Sequence, residues 1–147
     1  MVAALSMNSL RNDAKLRAMN ERNFVLDASA VLAFMYHEQG AERVAAVLPS
    51  SSMSAVNLSE VVAKLSDDGV TEAEIAANLA DLDLEVVPFD QDLAVKAGAL
   101  RPATRSKGLS LGDRACLATA QKLGLPVLTA DKVWAKLDLG ILIEIIR

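Results

Sequence analysis

The chain has 147 residues, of which 52% are hydrophobic and 23% are charged. A chain of this length favours one domain and buries roughly 70% of its unfolded surface, so it needs no disulfide. The formal net charge of −4 argues against a protein that coats nucleic acid through its overall charge. One cysteine and one histidine exclude a multi-cysteine or histidine-rich metal site. Since no apolar run is long enough to span a membrane, we expect a soluble, cytoplasmic protein.

Residues 1–22 differ in composition from the rest of the chain. They are largely polar and carry basic side chains at positions 11, 15, 17 and 22. Their few apolar residues would form at most a weakly amphipathic helix. We therefore expect a mobile arm or a short extra helix over residues 1–22, followed by a single domain over residues 23–147.

From residue 23 onward, apolar segments typical of buried strands alternate with segments typical of helices. The pattern predicts strands at 23–27, 52–55, 84–87, 126–129 and 141–146. It predicts helices at 28–36, 41–48, 56–66, 71–82, 91–100, 111–123 and 131–137, and a basic loop at 101–110. This order predicts an α/β fold with a mostly parallel central sheet and helices on both faces.

Four acidic residues occupy similar places in this pattern. Asp27 ends the first predicted strand and Asp131 follows the fourth. Glu60 and Asp113 lie in the first turns of two predicted helices. Because sites in parallel sheets form outside the carboxyl ends of the strands, we expect these acids near one edge. Without them, the chain would have equal numbers of acidic and basic residues.

Each acid also has a purely structural explanation. Those that follow strands have the position of helix N-caps. Asn57 and Ser110 each precede an acid by three residues, which is the spacing of a capping box. Together, however, the carboxylates would repel one another unless a cation neutralised them. Oxygen ligands suit Mg²⁺ or Mn²⁺, which promote phosphodiester hydrolysis by activating water and stabilising the leaving oxygen.

The motifs around these acids resemble those of PIN-domain ribonucleases, and most of all the toxins of VapBC toxin–antitoxin pairs. The resemblance rests on the strings VLDASAVLAF, SAVNLSEVVAKL, GLSLGDRACLATAQKLGLPVLTAD and LGILIEIIR. It covers residues 23–147 and implies a Rossmann-like PIN domain. It also implies a metal-dependent endoribonuclease, commonly a homodimer, that acts on RNA and is held inactive by a cognate VapB-type antitoxin.

The same resemblance assigns roles to individual residues. The catalytic, metal-binding acids would be Asp27, Glu60, Asp113 and Asp131, with Mg²⁺ or Mn²⁺ as the cofactor. Small polar residues beside them would support the site. These are Ser29, Asn57 and Thr129.

Basic residues gather close to Asp113 in the sequence. They are Arg101, Arg105, Lys107 and Arg114. Charged segments usually face water without a further role. Here they are also placed to bind the phosphates of an RNA and to guide it to the acids. We therefore predict that they contribute to RNA binding.

Two other functions remain open from the sequence. A PIN-domain nuclease of RNA processing or of DNA structures would carry the same acids without a toxin role. A receiver-type regulatory module also gathers aspartates at strand ends and binds Mg²⁺. Such modules normally carry adjacent acids after the first strand, whereas Asp27 stands alone there. Elsewhere, we expect Cys116 and Trp134 to pack in the core, and His37 to lie at the surface without a catalytic role.

Overall fold

The computed structural model describes residues 23–147, so the arm or helix predicted for residues 1–22 lies outside the described part. The strands are β1 (Val25–Leu26), β2 (Ser52–Ser54), β3 (Glu85–Val87), β4 (Val127–Thr129) and β5 (Ile143–Ile145). The helices are α1 (Ala28–Met35), α2 (Ala41–Val47), α3 (Ala55–Asp67), α4 (Glu72–Leu82), α5 (Gln91–Ala99), α6 (Arg101–Thr104) and α7 (Leu111–Leu123). Short 3₁₀ helices cover Leu48–Ser50, Arg105–Lys107 and Lys132–Lys136.

The five strands form one parallel sheet in the order β3-β2-β1-β4-β5. The prediction of an α/β fold with a mostly parallel sheet is thus confirmed. The central strand β1 pairs with both β2 and β4, and Val25 lies opposite Ser52 on one side and Val127 on the other. All residues of these three strands are buried, as expected where helices cover both faces of a sheet.

Two hydrophobic cores lie on opposite faces of the sheet. Leu26 and Leu128 pack with residues of α1 to α4, whereas Val25 and Val127 pack with residues of α5 and α7. This division follows from the strand geometry, because successive side chains point to opposite faces. Trp134 belongs to the second core and is fully buried, so its predicted packing role is confirmed.

The largest difference from the predicted elements is in residues 101–110. The basic loop predicted there is wrong, because α6 and a 3₁₀ helix occupy most of the segment. Pro102 does not prevent a helix at this place, since the first helical turn needs no N–H from it. The hydroxyl of Thr104 also donates to the carbonyl of Leu100 at 2.8 Å. The helix predicted at 131–137 is a 3₁₀ helix, and the last strand is shorter than predicted.

The other predicted helices and strands are present with small shifts at their ends. Helix α4 begins with a capping box, in which Thr71 and Glu74 are bonded to each other's backbone. Gly124 ends α7 in the left-handed conformation, with φ of 64°. Within residues 23–147, no helix combines the length and the apolar character required to cross a membrane.

Candidate active site

Asp27 lies where the chain leaves the central strand and enters α1. It is the N-cap of this helix, and its Oδ1 accepts a hydrogen bond from the backbone N of Ala30 at 3.0 Å. The residue is only 5% exposed. The cap predicted from the sequence is therefore present, and it places a carboxylate in a buried position at the carboxyl end of β1.

Two hydroxyl groups connect Asp27 to the end of the neighbouring strand β4. Ser29 Oγ donates to Oδ1 of Asp27 at 2.7 Å, and Thr129 Oγ1 donates to Oδ2 at 2.7 Å. Each hydroxyl also accepts a hydrogen bond from the backbone that follows β4, Ser29 from Ala130 N at 2.9 Å and Thr129 from Asp131 N at 3.0 Å. The two hydroxyls therefore fix Asp27 relative to the segment that carries Asp131.

The surroundings of Asp27 disfavour its negative charge. Burial raises the pKa of Asp27 from 3.8 to about 6, although the hydrogen bonds from Ser29, Ala30 and Thr129 act in the opposite direction. The negative charge of Asp113 adds to the rise in this pKa. A cation at this position would favour the ionised form of the carboxylate.

Glu60 is held on α3 by contacts that the sequence did not predict. The N-cap of α3 is Ser54, whose Oγ accepts from Val56 N at 3.3 Å, so the capping-box explanation for Asn57 and Glu60 is wrong. Instead, Asn57 Nδ2 donates to Glu60 Oε2 and to the carbonyl oxygen of Gly112, both at 3.0 Å. Asn57 thereby joins the acid on α3 to the first turn of α7.

Asp113 and Asp131 both satisfy the backbone of their own segments. Asp113 Oδ2 accepts from Ser110 N at 2.9 Å, and Asp113 N donates to Ser110 Oγ at 3.2 Å, which is the predicted capping box. Asp131 Oδ1 accepts from Val133 N at 3.0 Å and caps a 3₁₀ helix. Among residues 23–147, no three His, Cys, Asp or Glu side chains are close enough to hold one ion directly between them.

Three of the four acids nevertheless act on one buried side chain. Cys116 is fully buried on α7, which confirms its predicted packing role. Burial raises the pKa of its thiol well above the usual value, and the negative charges of Asp27, Asp113 and Glu60 raise this pKa further. The charges of acids on three different elements therefore reach the same part of the core. Asp131 is joined to the same region through the Thr129 hydroxyl.

The residues at this edge of the sheet fit a hydrated divalent cation. The side chains that meet there offer oxygen ligands, which Mg²⁺ and Mn²⁺ prefer. Asn57 Oδ1 is buried and has no hydrogen-bond partner among the described residues. Because Mg²⁺ keeps several of its waters in proteins, carboxylates that are too far apart for direct ligation can still hold it through water.

The predicted RNA-binding cations divide into two groups. Arg101, Arg105 and Lys107 are exposed on α6 and the following 3₁₀ helix. Arg114 is half-buried, and its Nη1 donates to the carbonyl of Ala97 on α5 at 3.1 Å. The first three side chains are thus accessible to a ligand, whereas Arg114 is held against a neighbouring helix. His37 is exposed, as predicted.

Sequence reasoning missed Gly112. A Cβ atom at this position would lie 2.0 Å from Glu60 Oε1, so the glycine makes room for the carboxylate. The available signal was a glycine in the first turn of an otherwise well-formed helix, where glycine is unfavourable by roughly 0.5–1 kcal/mol relative to alanine. The signal could not identify the neighbour, because Glu60 is on another helix.

Comparison with known proteins gives matches over most of the chain. The family model of the PIN domain matches residues 24–139. VapBC-5 from Mycobacterium tuberculosis, a member of the VapBC family of toxin–antitoxin systems, is 30% identical with a TM-score of 0.57, and the match covers 85% of this chain and 98% of that one. A search among curated proteins gave no match.

Two further solved structures share the fold. DNA-bound VapBC from Salmonella typhimurium has 23% identity and a TM-score of 0.65, over 83% of this chain and 96% of that one. VapC20 from Mycobacterium tuberculosis, described as a sarcin-ricin loop cleaving toxin, has 20% identity and a TM-score of 0.63, over 77% of this chain and 94% of that one. At these identities, the likeness shows the fold alone.

Proposed function

This chain belongs to the PIN-domain family, and from that premise we propose that it is a Mg²⁺-dependent endoribonuclease, the toxin of a VapBC-type pair. The observation that carries the proposal is the hydrogen bonding that ties the acids together at the sheet edge. The Thr129 hydroxyl joins Asp27 to the segment that carries Asp131. Asn57 joins Glu60 to the turn of α7 that carries Asp113. Acids brought together from several elements are costly for a fold unless a cation neutralises them.

The residues of this site would have distinct roles. Asp27, Glu60, Asp113 and Asp131 would hold the ion, with Mn²⁺ as a possible replacement for Mg²⁺. When bound, the ion supplies charge neutralisation and an activated water for hydrolysis of a phosphodiester. Ser29, Thr129 and Asn57 orient the carboxylates through the hydrogen bonds described above.

RNA would be bound through its backbone. Only 3% of the residues are aromatic, which is too few for a surface that stacks several unpaired bases. Arg101, Arg105 and Lys107 are exposed just before α7, whose first turn carries Asp113. We propose that these cations bind phosphates and direct the strand to the acids. With RNA as the proposed substrate, we also propose that the protein acts in the cytoplasm.

The similar structures guide the proposal for partners. VapBC-5 is titled as a member of a toxin–antitoxin family, and the structure from Salmonella typhimurium is a VapBC bound to DNA. We propose that this chain likewise pairs with a VapB-type antitoxin and that it forms a homodimer. The family match favours a nuclease over the receiver-type module considered above.

The enzymatic part of the proposal is tested with the purified protein and a single-stranded RNA. We expect cleavage in MgCl₂, none in EDTA, and recovery when Mg²⁺ or Mn²⁺ is added in excess. Cleavage that continues in EDTA would contradict the metal dependence. A parallel reaction with single-stranded and structured DNA tests the alternative substrate, and preference for DNA would contradict the assignment as a ribonuclease.

The toxin role needs a test in cells. Expression of this chain alone should arrest growth, and co-expression of the small reading frame beside its gene should restore it. Normal growth with an enzyme that is active in vitro would favour a PIN-domain nuclease of RNA processing or DNA-structure cleavage.

A further inference from the structure

We propose that Asn57 and Gly112 form a clasp that fixes the Glu60 carboxylate against α7 and thereby sets its position relative to Asp113. The clasp is a positioning device for the metal-binding acids, so this inference rests on the proposed function. It predicts that a single methyl group on α7 will weaken Mg²⁺ binding without unfolding the protein.

The first half of the clasp is the side chain of Asn57. This residue is 1% exposed, and its Nδ2 donates to Glu60 Oε2 and to the carbonyl oxygen of Gly112, both at 3.0 Å. Both N–H groups of the amide are therefore used. One points to the acid on the same helix and the other to the backbone of α7, so rotation of the amide would break both bonds.

The second half of the clasp is Gly112, which has no Cβ atom and so leaves space for the Glu60 carboxylate. An added Cβ would lie 2.0 Å from Oε1, 2.5 Å from Cδ and 2.7 Å from Oε2 of Glu60. All three distances are far below the roughly 3.5 Å at which non-bonded heavy atoms pack. The carboxyl group thus lies directly against the helix backbone, and any side chain at position 112 would push it away.

The clasp fixes Glu60 to the same turn of α7 that carries Asp113. Asp113 follows Gly112 directly, and its carboxylate is fixed to this turn by the capping box with Ser110. Glu60 is fixed to the same turn through Asn57 and Gly112. Both carboxylates are therefore held relative to the backbone of α7, one through Asn57 and the other through the capping box. These contacts restrict the rotation of both side chains.

The test compares two glycine substitutions in helices. Gly112→Ala places a methyl group against Glu60, whereas Gly98→Ala on α5 is the matched control, because a Cβ there meets no atom within 4 Å. The clash at position 112 involves the end of a side chain, so the variant should fold. Without metal, the loss of the bond from the buried Asn57 amide to Glu60 should offset the gain in helix propensity. The control should melt at least as high as the parent, since alanine favours a helix.

Mg²⁺ binding without RNA is the readout. Calorimetric titration and the Mg²⁺-induced rise in melting temperature are measured for the parent and both variants. We expect Gly112→Ala to weaken Mg²⁺ binding by about tenfold or more, the usual effect of losing a contact that orients a metal ligand. Gly98→Ala should bind Mg²⁺ as the parent does. Equal affinity of Gly112→Ala and the parent would overturn the clasp.

A double variant identifies the displaced group and covers the case in which Gly112→Ala fails to fold. Glu60→Asp shortens the side chain by one methylene and withdraws its carboxylate from the added methyl group. Gly112→Ala combined with Glu60→Asp should therefore fold, and it should bind Mg²⁺ no more weakly than Glu60→Asp alone. Fully additive losses of affinity would contradict the proposed contact, because residues that do not interact have additive effects.

The experiment also separates this inference from the proposed function. If the parent binds no Mg²⁺ and cleaves no RNA, the proposed function fails and the clasp fails with it. If the parent binds Mg²⁺ and Gly112→Ala binds it equally well, only the clasp is overturned.

Discussion

Helices α4 and α7 begin with the same motif in very different surroundings. Each has a capping box, formed by Thr71 and Glu74 in α4 and by Ser110 and Asp113 in α7. Glu74 is exposed, and the hydrogen bonds from Thr71 lower the pKa of its carboxyl group. Asp113 makes the equivalent bonds, but its charge also raises the pKa of Asp27.

The difference shows that a capping motif does not reveal whether its acid has a further role. At the start of α4, the carboxylate stabilises a helix and does nothing else that the structure shows. At the start of α7, the same local bonding holds a negative charge whose field reaches the buried carboxylate of Asp27. Costly arrangements of this kind are typical of functional sites, where stability is lost in favour of chemistry. Substitution of the buried Asp27 at the start of α1 and of the exposed Glu74 at the start of α4 should therefore change stability in opposite directions.

The largest expected effect is on RNA cleavage. Asp27→Asn keeps the size and most of the hydrogen bonds of the side chain but removes the charge that would hold the metal. We expect the rate of Mg²⁺-dependent cleavage to fall more than about a hundredfold, beyond the usual effect of changing a group that only orients a ligand. Glu74→Gln is the matched control and should cleave at the parent rate. Both rates are measured on a labelled RNA.

Circular dichroism of Asp27→Asn is needed to show that the fold survives. A folded variant that cleaves at the parent rate would remove Asp27 from the site and would make the starts of α1 and α4 equivalent.

The next effect is on stability, where the two substitutions should differ in sign. Burial raises the pKa of Asp27 from 3.8 to about 6, so the folded protein binds more protons than the unfolded chain between these values. Its stability therefore falls as pH rises through this window. Asp27→Asn removes this loss and should stabilise the metal-free fold at neutral pH by at most about 3 kcal/mol. The gain should vanish near pH 4.

Substitution of Glu74 should change the stability of the fold in the opposite direction. Hydrogen bonds from Thr71 lower the pKa of Glu74 in the folded state below its usual 4.5. Its contribution is thus present above the unfolded pKa and is lost as pH falls through the folded pKa. Glu74→Gln should destabilise the protein at neutral pH, in contrast to Asp27→Asn. Urea unfolding in EDTA from pH 4 to pH 7.5 measures both. The same sign for both variants would contradict the distinction between the two carboxylates.

The strand-end acids and the sheet were predictable because both depend on local sequence. Asp27 follows an apolar run, and Asp113 stands three residues after Ser110, so their positions relative to their own helices could be worked out. The bond between Asn57 and Gly112 was not predictable, because it joins residues 55 positions apart and depends on how α3 packs on α7. The helix at Arg101–Thr104 was not predictable either, because a proline ends a helix unless it lies in the first turn, and the local sequence does not show where that turn begins.

A smaller effect on cleavage is expected from substitution of Thr129, an uncharged residue whose hydroxyl holds the Asp27 carboxylate in place. Its hydroxyl donates to Asp27 Oδ2 and accepts from Asp131 N, and Thr129→Val removes both bonds without changing the shape of the side chain. We expect cleavage to fall about tenfold, with a weaker Mg²⁺ affinity. Thr119→Val is the matched control, because within residues 23–147 the Thr119 hydroxyl bonds only to the carbonyl of Ala115 on α7. Equal cleavage rates for the two variants would show that buried threonine hydroxyls matter equally wherever they lie.

The smallest effect is expected on RNA affinity, where two cations on the α7 side of the protein, Arg105 and Lys122, should differ. Arg105 is exposed just before α7, and no ion pair of 4.0 Å or less involves it among the described residues. Lys122, in the last turn of the same helix, lies 3.8 Å from Asp90 and 3.4 Å from Asp92. If Arg105 binds a phosphate and Lys122 does not, their neutralisation should affect RNA affinity differently.

We expect Arg105→Gln to weaken RNA binding and to reduce the slope of log affinity against log salt by about 0.7, the value for one phosphate contact on a single strand. Lys122→Gln should leave the slope unchanged, although it removes the same charge. The measurement is fluorescence anisotropy in EDTA, which prevents metal-dependent cleavage, at several salt concentrations. Equal slopes for both variants would mean that the protein attracts RNA only through its general field and that the segment before α7 has no specific part in binding. A change confined to Arg105→Gln would instead place the phosphates at the end of α7 that carries Asp113.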